Sequence, residues 1–294
     1  MHVTVSDRNR NTHSSHVLTV RKQDELGRQY FLASDTNKLP LFRNNVKLNE
    51  KVIINSNINK TDRLIVKHYY RNFPFVAPPH LPSERVNSFN YTADSVFTLP
   101  ANEQGVFNFS ANKKGFYHFQ KDSSSREGLS LFVFSDNFPR IKTAADMLPP
   151  MRFITTSEEF ALLEQSEEIR KNIETFWMNA TGNKEKSRDV IRKFYTRIQN
   201  ANSHFSSHIE GWRSDRGMIY LMFGSPESIN RDSDYERWTY TDGNNLNPLI
   251  FTFLKVNNPF SDNDYILERS SGYKTYWLMG VENWRQGGIY FNNE

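Results

Sequence analysis

Cysteine is absent from all 294 residues, which excludes disulfide staples, thiolate metal ligands and a cysteine nucleophile. Long apolar runs are missing too, since none approaches the roughly 18 residues needed to span a bilayer. The opening MHVTVSDRNRNTHSS is polar and lacks a signal-peptide core, so any export signal is expected outside this chain. A dominant charge is lacking as well: 37 Lys and Arg against 33 Asp and Glu leave a formal net charge of only +4, with the two signs interspersed. A nucleic-acid binder clusters its cations on one face, so no nucleic-acid partner is expected. Catalytic signatures are equally scarce. There is no G-x-G-x-x-G, no Walker sequence and no G-x-S-x-G elbow. At Phe223-Gly224-Ser225-Pro226 the residue after the serine is a proline, which has no N–H to offer an oxyanion hole. No catalytic residue and no cofactor is assigned.

What the chain has is rings. Aromatic residues make up 14%, including 23 Phe and 13 Tyr, and they supply burial that the modest 37% hydrophobic content does not. The chain is therefore read as globular, and its length favours two domains. Between about residues 17 and 134 short runs recur between turn residues: HVLTV, QYFLA, KVIINS, RLIVKHYY, SVFTLP, GVFNFS, GFYHFQK and LSLFVF. Apolar residues fall at every second position in 106–109 and 115–119. Residues 1–137 are accordingly expected to form an all-β, Ig-like sandwich.

Pro139, Pro149 and Pro150 mark residues 138–156 as a connector, expected to lie extended over a surface. Residues 157–294 read as an α+β domain. Thr156 and Glu159 form a capping-box pattern before Phe160 and Leu163, with a break near Ser166 and a stop at Gly182. A second helix, about residues 184–204, carries Ile191, Phe194, Tyr195, Ile198, Ala201 and Phe205 on one stripe, with Arg197 assigned elsewhere. The runs 218–223, 236–240, 249–256 and 273–279 read as strands of an antiparallel sheet that the helices cover.

The chain is organised around Gly211-Trp212-Arg213-Ser214-Asp215-Arg216-Gly217, followed by Tyr220, Gly224, Ser225, Pro226, Glu236, Trp238 and Tyr240. These residues resemble the GWxTD-domain family of Bacteroidota and related bacteria, with Ser214 standing where the family name has Thr. Phe176-Trp177, Phe194-Tyr195, Ala201-Asn202, Asn283-Trp284-Arg285 and the upstream Tyr69-Tyr70 and Pro149-Pro150-Met151-Arg152-Phe153 stretches carry the likeness over most of the chain. A weaker fold-level similarity links the helix pair, G-x-P turn and W-x-Y strand to small modules of outer-membrane assembly lipoproteins. The resemblance implies an exported, periplasmic or outer-membrane-associated protein, often lipid-anchored upstream, with envelope proteins as partners. Type 9 secretion and gliding machinery enter only by association.

The motif has two readings. In one it is a fold-defining turn: Gly211 and Gly217 supply positive φ on either side of Trp212, Asp215 caps backbone N–H groups or pairs with Arg213 or Arg216, and the Trp212 indole seeks a carbonyl. In the other, Trp212, Asp215, Arg216, Glu236 and Trp238 line a ligand or partner groove. His204 and His208 have the i, i+4 spacing of a zinc pair, but no HExxH accompanies them, and no metal site is assigned. Asp232, Asp234 and Glu236, like Asp262 and Asp264, are read as solvated loop acids because the EF-hand glycine and distal glutamate are missing. Tyr276, Trp277, Trp284, Arg285 and Tyr290 form a candidate partner surface, because Trp, Tyr and Arg favour interface centres. The expected function is a non-catalytic interaction or scaffold component of the bacterial cell envelope. The alternative is a protein that binds carbohydrate on the sandwich face or beside Trp212 and Trp238, or processes it with Asp215 and Glu236 as its carboxylates.

Overall fold

The structure is a computed structural model that describes residues 2–7, 12–17, 27–57, 62–83, 89–241 and 248–288. It is a multidomain α+β fold in which every sheet is antiparallel. β1 (His2–Asp7) pairs with β2 (Thr12–Val17); the rest of the HVLTV run lies outside the described residues.

The N-terminal part packs two sheets face to face. One has the order β3 (Phe31–Ser34), β4 (Lys51–Ser56), β7 (Phe107–Ser110). The other runs β6 (Ser95–Pro100), β5 (Arg63–Tyr69), β8 (Gly115–Gln120), β9 (Leu129–Val133). Phe107 and Phe109 point inward while Asn108 and Ser110 point out, as a half-buried strand requires. Across the gap the Phe109 ring meets Tyr117 at 4.9 Å and Phe119 at 4.8 Å. β8 and β9 are buried on their other face too. There Tyr69, Phe116 and Phe132 close around Phe260, which comes from the C-terminal part.

Residues 138–156 do not lie extended over a surface. After a cis Phe138–Pro139 peptide they form α1 (Ala144–Met147), capped by Thr143 and Asp146, and a 3-10 turn at Pro149–Phe153. Met147, Leu148, Met151, Phe153 and Ile154 are buried in the C-terminal core. Proline is compatible with a first helical turn, where its missing N–H would find no partner anyway, so Pro149 and Pro150 start the 3-10 turn.

Then come α2 (Ser157–Glu164), α3 (Ile169–Thr181), with Gly182 in the left-handed conformation at its end, and α4 (Lys184–Phe205). The capping box at Thr156 and Glu159 is formed. The apolar stripe of α4 packs inward, but Arg197 is buried with it. Its guanidinium donates to the Leu221 and Met222 carbonyls at 3.3 and 3.4 Å and lies 5.3 Å from the Trp284 ring.

Residues 218–223 are not a strand. They belong to α5 (Asp215–Phe223), all nine residues of which are buried. A helix that is apolar all round sits inside a core, and a six-residue apolar run has no periodicity that separates helix from strand. β10 (Ser228–Arg231), β11 (Tyr235–Tyr240), β12 (Leu249–Lys255) and β13 (Tyr265–Leu267) form the remaining sheet in that order. Residues 273–279 also fail as a strand. They open α6 (Lys274–Arg285), whose Trp277, Gly280 and Trp284 face inward at helical spacing.

Candidate functional site

The motif forms a buried corner where α4, α5 and the β10–β13 sheet meet. Gly211–Arg213 makes one 3-10 turn, and Ser214 then caps α5. The Ser214 hydroxyl accepts from Gly217 N at 3.0 Å and donates to Gly211 O at 2.6 Å. Threonine would present the same hydroxyl, which is why the two residues are interchangeable at this cap.

Neither Gly211 nor Gly217 has positive φ, so the expected reason for these glycines is corrected. Close approach requires them. A Cβ at Gly211 would stand 1.8 Å from the Ala201 carbonyl oxygen of α4, and one at Gly217 would stand 1.8 Å from the Gly211 carbonyl oxygen. The two glycines let three backbone segments stack without side chains between them. Gly224 does use positive φ, at 79°, where it ends α5 beside the Arg197 guanidinium.

The charged residues of the motif are each bonded inside the fold. Asp215, 0% exposed, accepts from Leu267 N at 3.2 Å and pairs with Arg269. Arg269 in turn donates to the carbonyls of Ala77, Pro78 and Leu81 at 2.8, 2.7 and 3.1 Å, clasping a segment of the N-terminal part. Arg213 reaches the Phe73 carbonyl on the same segment. Arg216 meets Glu236 at 3.2 Å, bonds Asn263 and lies 3.9 Å from the Tyr265 ring centre. Burial pulls the Arg216 pKa down, and the Glu236 carboxylate opposes that pull. Glu236 also accepts from Arg231 at 3.0 Å and from the Trp238 indole at 3.2 Å. Tyr240 donates to Gly224 O at 2.9 Å, and the Tyr220 hydroxyl accepts from Asn200 at 3.1 Å. Trp212 is buried against the Phe75 and Phe153 rings, with its indole beside the Glu210 carboxylate. Pro226 sits half-buried in the turn before β10.

Other expectations fare differently. Asp232, Asp234 and Asp262 are exposed, but Glu236 and Asp264 are buried, so those two acids are not solvated. α4 ends at Phe205, which leaves His208 beyond it, against Phe73 and bonded to Asn258; His204 is exposed. The two imidazoles share no helix face. On α6, Trp277 and Trp284 are core residues, and the Trp284 indole donates to Met222 O at 3.2 Å. Arg285 is taken by a bidentate pair with Glu159 at 2.7 and 2.8 Å, and Tyr276 packs half-buried on the core. These four residues form no shared exposed surface, although Trp277 lines the groove described next; Tyr290 lies outside the described residues.

The described residues line at least two open concavities. A groove of about 550 Å³ lies between segment 75–78, the Pro149–Phe153 turn, α2 and α6, and its lining includes Phe75, Arg152, Phe153, Phe160, Trp277 and Leu278. A polar cavity of about 180 Å³ adjoins His118, Gln120, Arg126 and Phe260. Burial lowers the His118 pKa to about 4; its ring bonds Ser130 at 2.8 Å and the Arg126 carbonyl at 3.0 Å. Sequence reading missed Arg152 as a groove residue, although it falls in the Pro149-Pro150-Met151-Arg152-Phe153 stretch. Nothing local to that stretch announces the Phe75 and Phe160 rings on either side of it. Among the described residues, no helix is long and apolar enough to cross a membrane.

The family model for the GWxTD domain matches residues 115–286, starting at the first residue of β8 and ending just past α6. No curated protein and no solved structure matches the chain.

Proposed function

Since the chain belongs to the GWxTD domain family, we propose that it is a non-catalytic interaction component of the bacterial cell envelope, holding other envelope proteins in a larger complex. One observation carries this reading. Asp215, Arg216 and Glu236, the groups best suited to chemistry or ligand binding, are each bonded inside the fold. A general acid or base has to reach its substrate within hydrogen-bond distance, and these three reach only their own protein. The motif then serves as a rigid corner, and binding falls to the outer surface. The same proposal takes the two-sheet N-terminal part as Ig-like, places the protein in the periplasm or at the outer membrane of a Bacteroidota-type cell, and expects a lipid anchor upstream. Type 9 secretion or gliding machinery is the associated setting.

Carbohydrate processing, the alternative that would use Asp215 and Glu236, gains no support from the burial of both. Chemical cross-linking of the tagged full chain in native envelopes, against a tag-only control, tests the interaction reading. Reproducible envelope-protein adducts are expected; adducts no more abundant than the control would end it.

A further inference from the structure

Arg152 stands apart from the arginines of the motif corner. Arg213, Arg216 and Arg269 spend their donors on carbonyls and carboxylates of the fold. Arg152 is exposed and lies between two rings, its guanidinium carbon 4.5 Å from the Phe75 centroid and 4.3 Å from the Phe160 centroid. Among the described residues its side chain makes no hydrogen bond or ion pair. Stacking between rings restricts a guanidinium while leaving its edge donors free, which is the state that binds a planar anion at least entropic cost.

The surface beside it is apolar and wet. Phe75 is 37% exposed and Leu278 is 52% exposed, and both line the 550 Å³ groove whose floor holds Phe153 and Trp277. Exposed apolar area next to a fixed, unused charge is the composition of an interaction site rather than of ordinary surface. Glu164 lines the same groove. Its negative charge disfavours a doubly charged phosphate, whereas a carboxylate matches the two-pronged guanidinium edge.

We propose that this groove docks an apolar peptide segment of a partner protein that carries a carboxylate. The apolar side chains settle over Trp277 and Leu278, and the carboxylate lands on Arg152. The proposal rests on the interaction reading above and names where, and for what chemistry, that interaction occurs.

The probe is a labelled synthetic decapeptide alternating Leu and Phe with Asp, followed by fluorescence anisotropy against the full chain, with a counterpart carrying Lys in place of Asp. The Asp peptide should bind saturably and at least about tenfold more tightly than the Lys peptide, the size expected for one charge-assisted contact. Arg152→Glu should reverse that order at the cost of a few degrees of thermal midpoint, since it loses two ring contacts, and Leu278→Asp should weaken the Asp peptide about tenfold with an unchanged midpoint because that side chain is exposed. Equal affinity for the two peptides, no saturable binding, or indifference to Arg152→Glu would overturn the proposal. A dimer that forms with concentration and is lost in Leu278→Asp would assign the groove to a second copy instead. Tighter binding after deletion of residues 289–294 would assign it to the chain's own tail. Both of those results also overturn the proposal. Envelope cross-linking separates the two levels: adducts equal in wild type and Arg152→Glu remove the groove and leave the interaction reading, whereas no adducts in either remove that reading itself.

Discussion

Asp215→Asn is the perturbation that tests the corner most directly. It preserves shape and keeps an oxygen for Leu267 N, 3.2 Å away, but it removes the charge opposite Arg269. Asp215 is 0% exposed and the Arg269 side chain only 12% exposed, so the cation is left largely out of water with only carbonyl partners. Breaking a buried pair from one side costs about 3–5 kcal/mol, a large share of the roughly 5–15 kcal/mol that stabilises a typical protein. With about 2–4 °C lost per kcal/mol in a domain of this size, the midpoint should fall by about 6–20 °C. The damage should also be local. Arg269 clasps the carbonyls of Ala77, Pro78 and Leu81, so hydrogen exchange should accelerate in residues 73–81 before it does in β8 and β9. Calorimetry and exchange mass spectrometry read the two effects. A midpoint within about 1 °C of wild type, with exchange in 73–81 unchanged, would refute the claim that the motif acid holds the joint.

Gly211→Ala puts a methyl against the Ala201 carbonyl, where an unshifted Cβ would stand 1.8 Å away; backbone on both sides makes the upper end of the usual 1–3 kcal/mol overpacking cost, or more, the expectation in urea unfolding. Ser214→Ala removes the α5 cap and should cost about 1 kcal/mol, while Ser214→Thr keeps the hydroxyl and should be close to neutral. For His118 the folded pKa of about 4 lies below the ordinary 6.5, so the unfolded chain takes up this proton first on acidification. No stability is lost through this group above about pH 6.5; the loss grows as pH drops towards 4 and amounts to about 3 kcal/mol at the acid end. Chemical denaturation across that window should show a steeper acid loss in wild type than in His118→Gln, and parallel curves would count against the burial of a neutral imidazole.

Much of the fold is legible in the sequence, for reasons that can be named residue by residue. The two-residue alternation of Phe107 and Phe109 is a local property of a half-buried strand, and so is the hydroxyl-to-carboxylate reach of Thr156 and Glu159 at a helix start. The stop at Gly182 and the stripe of α4 follow from the same short-range geometry. The motif's importance as a corner is legible too, because two glycines, a tryptophan and a capping Ser-Asp pair have few uses together.

The segments misread are those where local pattern is silent. The run 218–223 is apolar at every position, so neither period appears in it; burial on all sides selects the helix, and the Ser214 cap with Asp215 in the first turn is the signal that favoured it. The aromatics of 273–279 suit strands by propensity, yet Trp277, Gly280 and Trp284 align only on a helix packed against α5. The sequence by itself thus determined which residues cap, alternate and turn, since those choices depend on neighbours within a few positions. Only the tertiary structure decided that Asp215 finds Arg269, that Arg269 finds a segment 192 residues back at Ala77, and that Arg152 lies unused between Phe75 and Phe160. Those partners are brought together by chain folding over long separations, and no periodicity encodes them.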